Sequence, residues 1–167
     1  NQLYGRWYIT RRPKLPRTGR QLRLALHTAT DSALLYSASD IAVLTEKQLA
    51  EHPFLARIGP DILDSNLNYQ RVADRLAAKP FRGRSLGNLY LDQSFLAGNG
   101  NYLRAERLWA ARLHPKRRPA DLSAAELRRL ARQTRTIAKR SYRTRGVTVP
   151  DKLARERKAH GMSYAEY

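Results

Sequence analysis

The residues best placed to do chemistry are Gly98, Gly100, Asn101 and Arg104, in the run Phe95-Leu96-Ala97-Gly98-Asn99-Gly100-Asn101-Tyr102-Leu103-Arg104. Two glycines one residue apart let a backbone turn sharply through positive φ and come close to a partner. A helix starting at Asn101 would present N–H groups that no intrahelical carbonyl accepts, and its dipole would draw an anion toward them. Asn101 adds a side-chain donor, and Arg104, one turn on, adds a charged one. Such a device holds a phosphate whatever base it carries, so it positions a duplex without reading it. Taken alone, Gly-x-Gly more often marks an ordinary helix hairpin with a glycine terminator and an asparagine cap.

Other chemistry is sparse. His27, His52, His114 and His160 are scattered without metal-ligand spacing, and the chain has no cysteine. Disulfides and thiolate zinc sites are therefore excluded within it, and neither a metal nor a small-molecule cofactor is expected there. The loudest signal is charge: 32 Lys and Arg against 14 Asp and Glu, a net +18 and a pI near 11. Residues 115–167 alone hold 15 basic and 5 acidic side chains. A field of that sign attracts polyanions, and nucleic acid is the partner it favours. No stretch approaches the ~18 consecutive apolar residues of a membrane span, and no signal peptide opens the chain. The absence of cysteine fits a reducing, cytoplasmic setting.

The elements that would position these residues fall into two groups. Tyr4–Thr10, Gln21–Thr28 and Ala33–Ser37 read as strands, the second by its period-2 alternation. Three strands alone leave open edges, so a partner sheet is expected upstream. Thr45 can cap a short helix over Glu46–Glu51, and residues 52–64, with two prolines and a glycine, read as a connector. Four helices should follow. The first is capped by Asn68 and buries Tyr69, Val72, Ala73 and Leu76. The second carries a Leu86, Leu89, Tyr90, Gln93, Leu96 stripe ending at Gly98. The third aligns Tyr102, Ala105, Glu106, Trp109 and Leu113, which puts Glu106 in a buried structural ion pair. The fourth starts at a Ser123/Glu126 capping box with a Leu122/Leu127 staple. Its apolar face is Leu127, Leu130, Ala131, Ile137 and Ala138. Arg128, Arg132, Arg135 and Lys139 line another face, which is solvated or faces nucleic acid. The tail beyond Ser141 is basic and weakly patterned.

Leu91-Asp92-Gln93-Ser94-Phe95-Leu96-Ala97-Gly98, then Gly100-Asn101-Tyr102-Leu103-Arg104, closely resembles the helix–two-turn–helix signature of the formamidopyrimidine-DNA glycosylase and endonuclease VIII family. Leu34–Ile41, His52–Asp64 and Ser141–Gly146 extend the likeness over most of residues 1–146, and Asn1-Gln2-Leu3-Tyr4 places it nearer the endonuclease VIII branch. The resemblance implies an α+β fold: the remnant of an antiparallel β-sandwich, then a helical helix–two-turn–helix DNA-binding domain. It divides the chain into the end of a catalytic sandwich domain (1–51), an interdomain connector (52–64), the helix–two-turn–helix domain (65–146) and a basic tail (147–167). It implies that Gln2, Leu3 and Tyr4 enter the base stack where a damaged base is flipped out, since such side chains can replace lost stacking. It assigns Asn101 and Arg104 to phosphate contacts. Two residues depart from the pattern: Asn99 and Arg107 stand where the family usually has apolar side chains.

The family's nucleophile is an N-terminal proline amine that forms a Schiff base with the sugar, aided by a glutamate and a lysine. The resemblance places all three upstream of Asn1, and the family's four-cysteine zinc hairpin beyond Tyr167. The chain is therefore expected to be a fragment, without catalytic residues of its own. Its parent would be a monomeric bacterial glycosylase and AP lyase, associated with the nucleoid. That enzyme would excise oxidised bases, pyrimidines first, from damaged duplex DNA and cleave the abasic strand by β/δ-elimination. The alternative is a non-catalytic nucleic-acid-binding module, because a similar helix pair grips RNA in a small-subunit ribosomal protein. The strands, the connector and Gln2-Leu3-Tyr4 argue against it.

Overall fold

The structure, a computed structural model, describes residues 5–162, so Gln2, Leu3 and Tyr4 lie outside the described residues. The chain divides between Glu51 and His52 into two compact units. Together they make an α+β protein.

The first unit holds β1 (Arg6–Arg11), β2 (Leu22–His27) and β3 (Asp31–Tyr36), antiparallel in the order β1-β3-β2. The last strand in sequence is central, pairs on both edges, and buries Leu34, Leu35 and Tyr36. Trp7 lies opposite Leu35, and Ile9 and Leu26 both lie opposite Ala33. Directly paired residues share a face, so these side chains form one apolar surface. Much of it is open: Ile9 is 73% exposed and Leu26 55%. The alternation in β2 thus marks a strand correctly, while its expected burial is not met within this single layer. After the sheet, Thr45 and Gln48 form a capping box at the start of α1 (Glu46–Ala50).

The second unit contains α2 (Tyr69–Ala77), α3 (Lys79–Arg82), α4 (Leu86–Leu89), α5 (Asn101–Ala110), α6 (Ala124–Arg143) and α7 (Asp151–Ala159). Asn68 caps α2 by accepting from the Arg71 N–H at 2.9 Å. Leu76, Leu86, Leu89, Tyr90, Phe95, Leu96 and Leu130 are fully buried in one cluster, and each such leucine contributes about 2 kcal/mol. Phe95 meets Phe81 and Tyr90 edge-on at 5.2 and 5.4 Å. The helix α6 starts at the expected capping box of Ser123 and Glu126, with Leu122 and Leu127 packed on the core.

Three expectations change. The stripe from Leu86 to Leu96 is not one helix: α4 ends at Leu89, and turns follow. Asp92 Oδ1 accepts the Ser94 N–H at 2.7 Å, the local bond by which aspartate competes with helix. Arg75 donates to the Ser94 and Phe95 carbonyls, at 2.7 and 2.5 Å, and so holds the segment that follows in place. Residues 52–64, read as a connector, belong to the helical unit, where Asp61 and Ala97 form a parallel bridge. The Gly59 N–H donates to Gln93 at 2.8 Å, and a Cβ on Gly59 would sit 2.5 Å from the Ser94 carbonyl oxygen, so only glycine fits there. The tail also holds an unexpected helix, α7. No helix among the described residues is long and apolar enough to cross a membrane.

Candidate nucleic-acid interface

The two glycines do different work. Gly98 has φ +82°, the left-handed turn that glycine makes without strain, and a Cβ there would lie 3.3 Å from Ile62 Cγ2. Gly100 has φ −119°, a conformation open to any residue, so the expected pair of positive-φ glycines reduces to one. Around Gly100 a Cβ would meet nothing within 4 Å. Its small size leaves room on the outer side of the turn.

Gln93 holds that turn shut. Its side-chain oxygen accepts the Gly98 N–H at 3.0 Å, and its nitrogen donates to the Asn99 carbonyl at 2.9 Å. The sequence signal was a lone polar residue on an apolar stripe. Beneath the turn, Asn99 donates to the Leu96 carbonyl at 3.0 Å and accepts from Arg107 Nη1. The two departures from the family pattern are thus each other's partners, both buried. The guanidinium lies 6.0 Å from the centre of the Tyr90 ring, and the Tyr90 hydroxyl shares a 2.6 Å hydrogen bond with Thr134. Burial pushes the Tyr90 phenol up to about 12 and the Arg107 guanidinium down to about 10, so Arg107 stays cationic at neutral pH.

The helix α5 begins with Gly100 as cap, and its first ladder bond runs from the Arg104 N–H to the Gly100 carbonyl at 3.1 Å. The N–H groups of Asn101, Tyr102 and Leu103 therefore have no intrahelical acceptor. Asn101 is exposed in the first turn and caps nothing, which leaves its amide available. Tyr102 shares a 2.5 Å hydrogen bond with Ser141 and is half open to solvent. A groove of about 370 Å³ runs beside this helix start, past Gly98, Tyr102, Ser141, Tyr142 and Arg145. Arg104 is half-buried, and its Nη1 makes a long 3.4 Å contact to the Gly87 carbonyl. Gly98, Gly100, Asn101 and Arg104 are thus brought to one turn and the first turn of one helix.

The basic face of α6 is narrower than its spacing suggests. Arg128, Arg132 and Lys139 are exposed, whereas Arg135 is buried and donates to the Ile62 carbonyl. Glu106 is half-buried and accepts a 3.0 Å hydrogen bond from the Thr148 hydroxyl, a neutral partner in place of the expected cation. Burial opposes ionisation of Asp92, but donors from Arg84 and Ser94 outweigh it and hold that carboxyl below its usual range. The residues present do not fit the family's zinc hairpin. The chain has no cysteine, and no cluster of three His, Asp or Glu side chains occurs among the described residues.

An open helix start behind a double turn, braced by a strand-like segment, defines a helix–two-turn–helix domain. Residues 58–152 match the formamidopyrimidine-DNA glycosylase H2TH domain. The chain is 48% identical to Endonuclease 8 of Klebsiella pneumoniae and 47% identical to Endonuclease 8 of Salmonella arizonae, each over 98% of the chain and 60% of the relative. In fold it is similar to the Lactococcus lactis Fpg in a complex with an abasic site containing DNA. That likeness has a TM-score of 0.69 at 17% identity and covers 89% of this chain and 54% of that one. The chain belongs to the formamidopyrimidine-DNA glycosylase family. It spans about 60% of the length of the Endonuclease 8 relatives it matches.

Proposed function

We propose that this chain is the DNA-gripping portion of a base-excision-repair glycosylase and AP lyase that acts on oxidised bases, pyrimidines above all, and cleaves the abasic strand by β/δ-elimination. One observation carries the reading: the free N–H groups and the Asn101 amide at the start of α5, beside the open side of Gly100, in a chain of this family. Such a helix start suits a phosphate. Arg104 adds charge at the same place, and the exposed Arg128, Arg132 and Lys139 add a non-specific field. Gln2, Leu3 and Tyr4 fill the space left by a flipped base. None of residues 1–167 is assigned as the family's nucleophile, and by themselves they are proposed to bind damaged DNA with little or no cleavage. No cofactor is assigned to them, and the proposed state is a monomer.

The test is fluorescence-anisotropy binding to a duplex with a reduced abasic site and to its intact counterpart, over a salt series. The expected result is tighter binding to the abasic duplex. Asn101→Ala should weaken both by about tenfold, the value of one hydrogen bond to a charged group, and Leu3→Ala should reduce the preference. Equal binding to both duplexes, indifferent to Leu3→Ala, would leave only a basic surface. Efficient nicking by the isolated chain would contradict the assignment of the chemistry elsewhere.

A further inference from the structure

The Asn99–Arg107 pair is costly where it stands. Arg107 has no exposed surface, and its Nε and Nη2 have no hydrogen-bond partner. Its neighbours are an amide oxygen and a tyrosine ring, and no carboxylate among the described residues neutralises it. An unpaired buried cation is among the most unfavourable groups a core can hold, and apolar replacement of such a group is commonly neutral or stabilising. Apolar side chains are what the family pattern puts at both positions. The pair therefore needs a reason other than packing.

Its location supplies one. Arg107 lies on α5 six residues beyond Asn101, roughly 9 Å along the helix at 1.5 Å per residue. Through Asn99 it fastens the segment that aims the N–H groups of Asn101, Tyr102 and Leu103. We propose that Arg107 is a positioning residue for the phosphate turn, fixing it through Asn99 and placing an unscreened positive charge beneath the bound phosphate. This rests on the phosphate-binding reading of α5. A surface cation releases counterions when it pairs with phosphate, so it steepens the salt dependence of binding. Arg107 touches no solvent, so its charge should strengthen binding equally at every salt concentration. A unit charge about 10 Å away, at an effective dielectric of about 20, corresponds to an effect on the order of tenfold.

The experiment compares Arg107→Met and the double variant Asn99→Leu/Arg107→Ile with the unaltered chain, by thermal midpoint, by salt-series binding to the abasic duplex, and by amide resonances of the free protein. Arg107→Met should weaken binding by about tenfold with an unchanged salt slope, and should shift the amides of Asn99 and Asn101–Leu103 without DNA. The double variant, whose core is apolar throughout, should recover the midpoint but not the affinity. If it recovers both, packing alone set the turn and the proposal is overturned. A salt slope smaller by about 0.9, the share of one phosphate contact, would mean direct contact and also overturn it. Unmoved turn amides would overturn the positioning role whatever happens with DNA. If Arg107→Met does not fold, the double variant carries the test alone. The phosphate reading fails separately, if Asn101→Ala binds like the unaltered chain.

Discussion

The double turn separates two demands that a Gly-x-Gly motif usually hides, and substituting each glycine by alanine should pull them apart. At Gly98 the backbone sits at φ +82°, where an L side chain costs about 1–2 kcal/mol. The new Cβ would also come to 3.3 Å from Ile62 Cγ2, closer than ordinary contact, so Ile62 must give by a few tenths of an ångström. At Gly100 neither cost applies: φ is −119° and the space is empty. Alanine is a worse helix cap than glycine, but it also reduces the freedom of the unfolded chain, and the two effects oppose each other within about 0.5 kcal/mol.

Gly98→Ala should thus lower the thermal midpoint by roughly 4–8 °C, at about 4 °C per kcal/mol for a unit of this size. Gly100→Ala should leave the midpoint within about 2 °C. Binding should reverse the order. A methyl group on Gly100 would stand where a phosphate approaches the N–H groups of α5, and losing one hydrogen bond to a charged group weakens binding by about tenfold or more. Differential scanning fluorimetry and anisotropy on the same preparations read both quantities. If Gly100→Ala destabilises as much as Gly98→Ala, the turn geometry is wrong. If it leaves duplex binding untouched, the open side of Gly100 does not face the phosphate.

Further expectations follow from the core and the caps. Thr134→Val removes the partner of the fully buried Tyr90 hydroxyl and should cost about 1–3 kcal/mol by chemical denaturation, whereas Thr136→Val, on an exposed position of the same helix, should stay within about 0.5 kcal/mol. Arg135→Met strips the Ile62 carbonyl of its donor and should destabilise by about 2 kcal/mol, while Arg128→Ala, exposed, should change stability by less than about 0.5 kcal/mol. Hydrogen bonds from Arg117 and then from the Ser123 N–H hold the Glu126 carboxyl down at about 2, against 4.5 ordinarily. A lowered carboxyl stabilises the fold above its unfolded value and loses that contribution as pH falls toward the folded one. Glu126→Gln should therefore lower the midpoint at pH 7, and the gap to the unaltered chain should close between about pH 4.5 and 2 in a series of thermal melts.

Where the sequence spoke clearly, local rules were enough. Asn68, Thr45 and Ser123 with Glu126 announced helix starts because caps act within four residues. The strands were legible from β-branched and aromatic runs, but their order was not, since β3 becomes central through pairings that no local signal encodes. The failed helix over residues 86–96 shows the same limit. Its apolar spacing is real, and all of Leu86, Leu89, Tyr90 and Leu96 are buried. The ladder gives way after Leu89, where the Leu91 and Asp92 N–H groups turn to the Asn88 and Leu89 carbonyls and Asp92 takes the Ser94 N–H. Arg75, some twenty residues upstream, and Gly59 hold the non-helical segment that follows. At the site, Gly98, Gly100, Asn101 and Arg104 were legible from type and spacing. Gln93 was visible only as a polar residue out of place, and the Asn99–Arg107 pair only as two departures from a pattern, eight residues apart and both polar.

The net charge deserves a smaller claim than +18 suggests. Arg75, Arg129, Arg135 and Arg140 each donate to a backbone carbonyl: Phe95 and Ser94, Ala111, Ile62 and Thr148 respectively. These carbonyls lie at helix ends and turns, where the backbone runs short of donors. Arginine suits such places because its flat fork reaches several acceptors while its stem packs on apolar neighbours. These four of the 32 basic side chains are therefore tied to the fold as well as adding to the charge. The salt slope of duplex binding measures how much of that charge meets DNA. If the exposed start of α5 and the outer face of α6 carry the interaction, the slope should correspond to a handful of phosphates, well below the formal charge. A slope near the full net charge would mean that basic residues well outside these two faces also meet DNA.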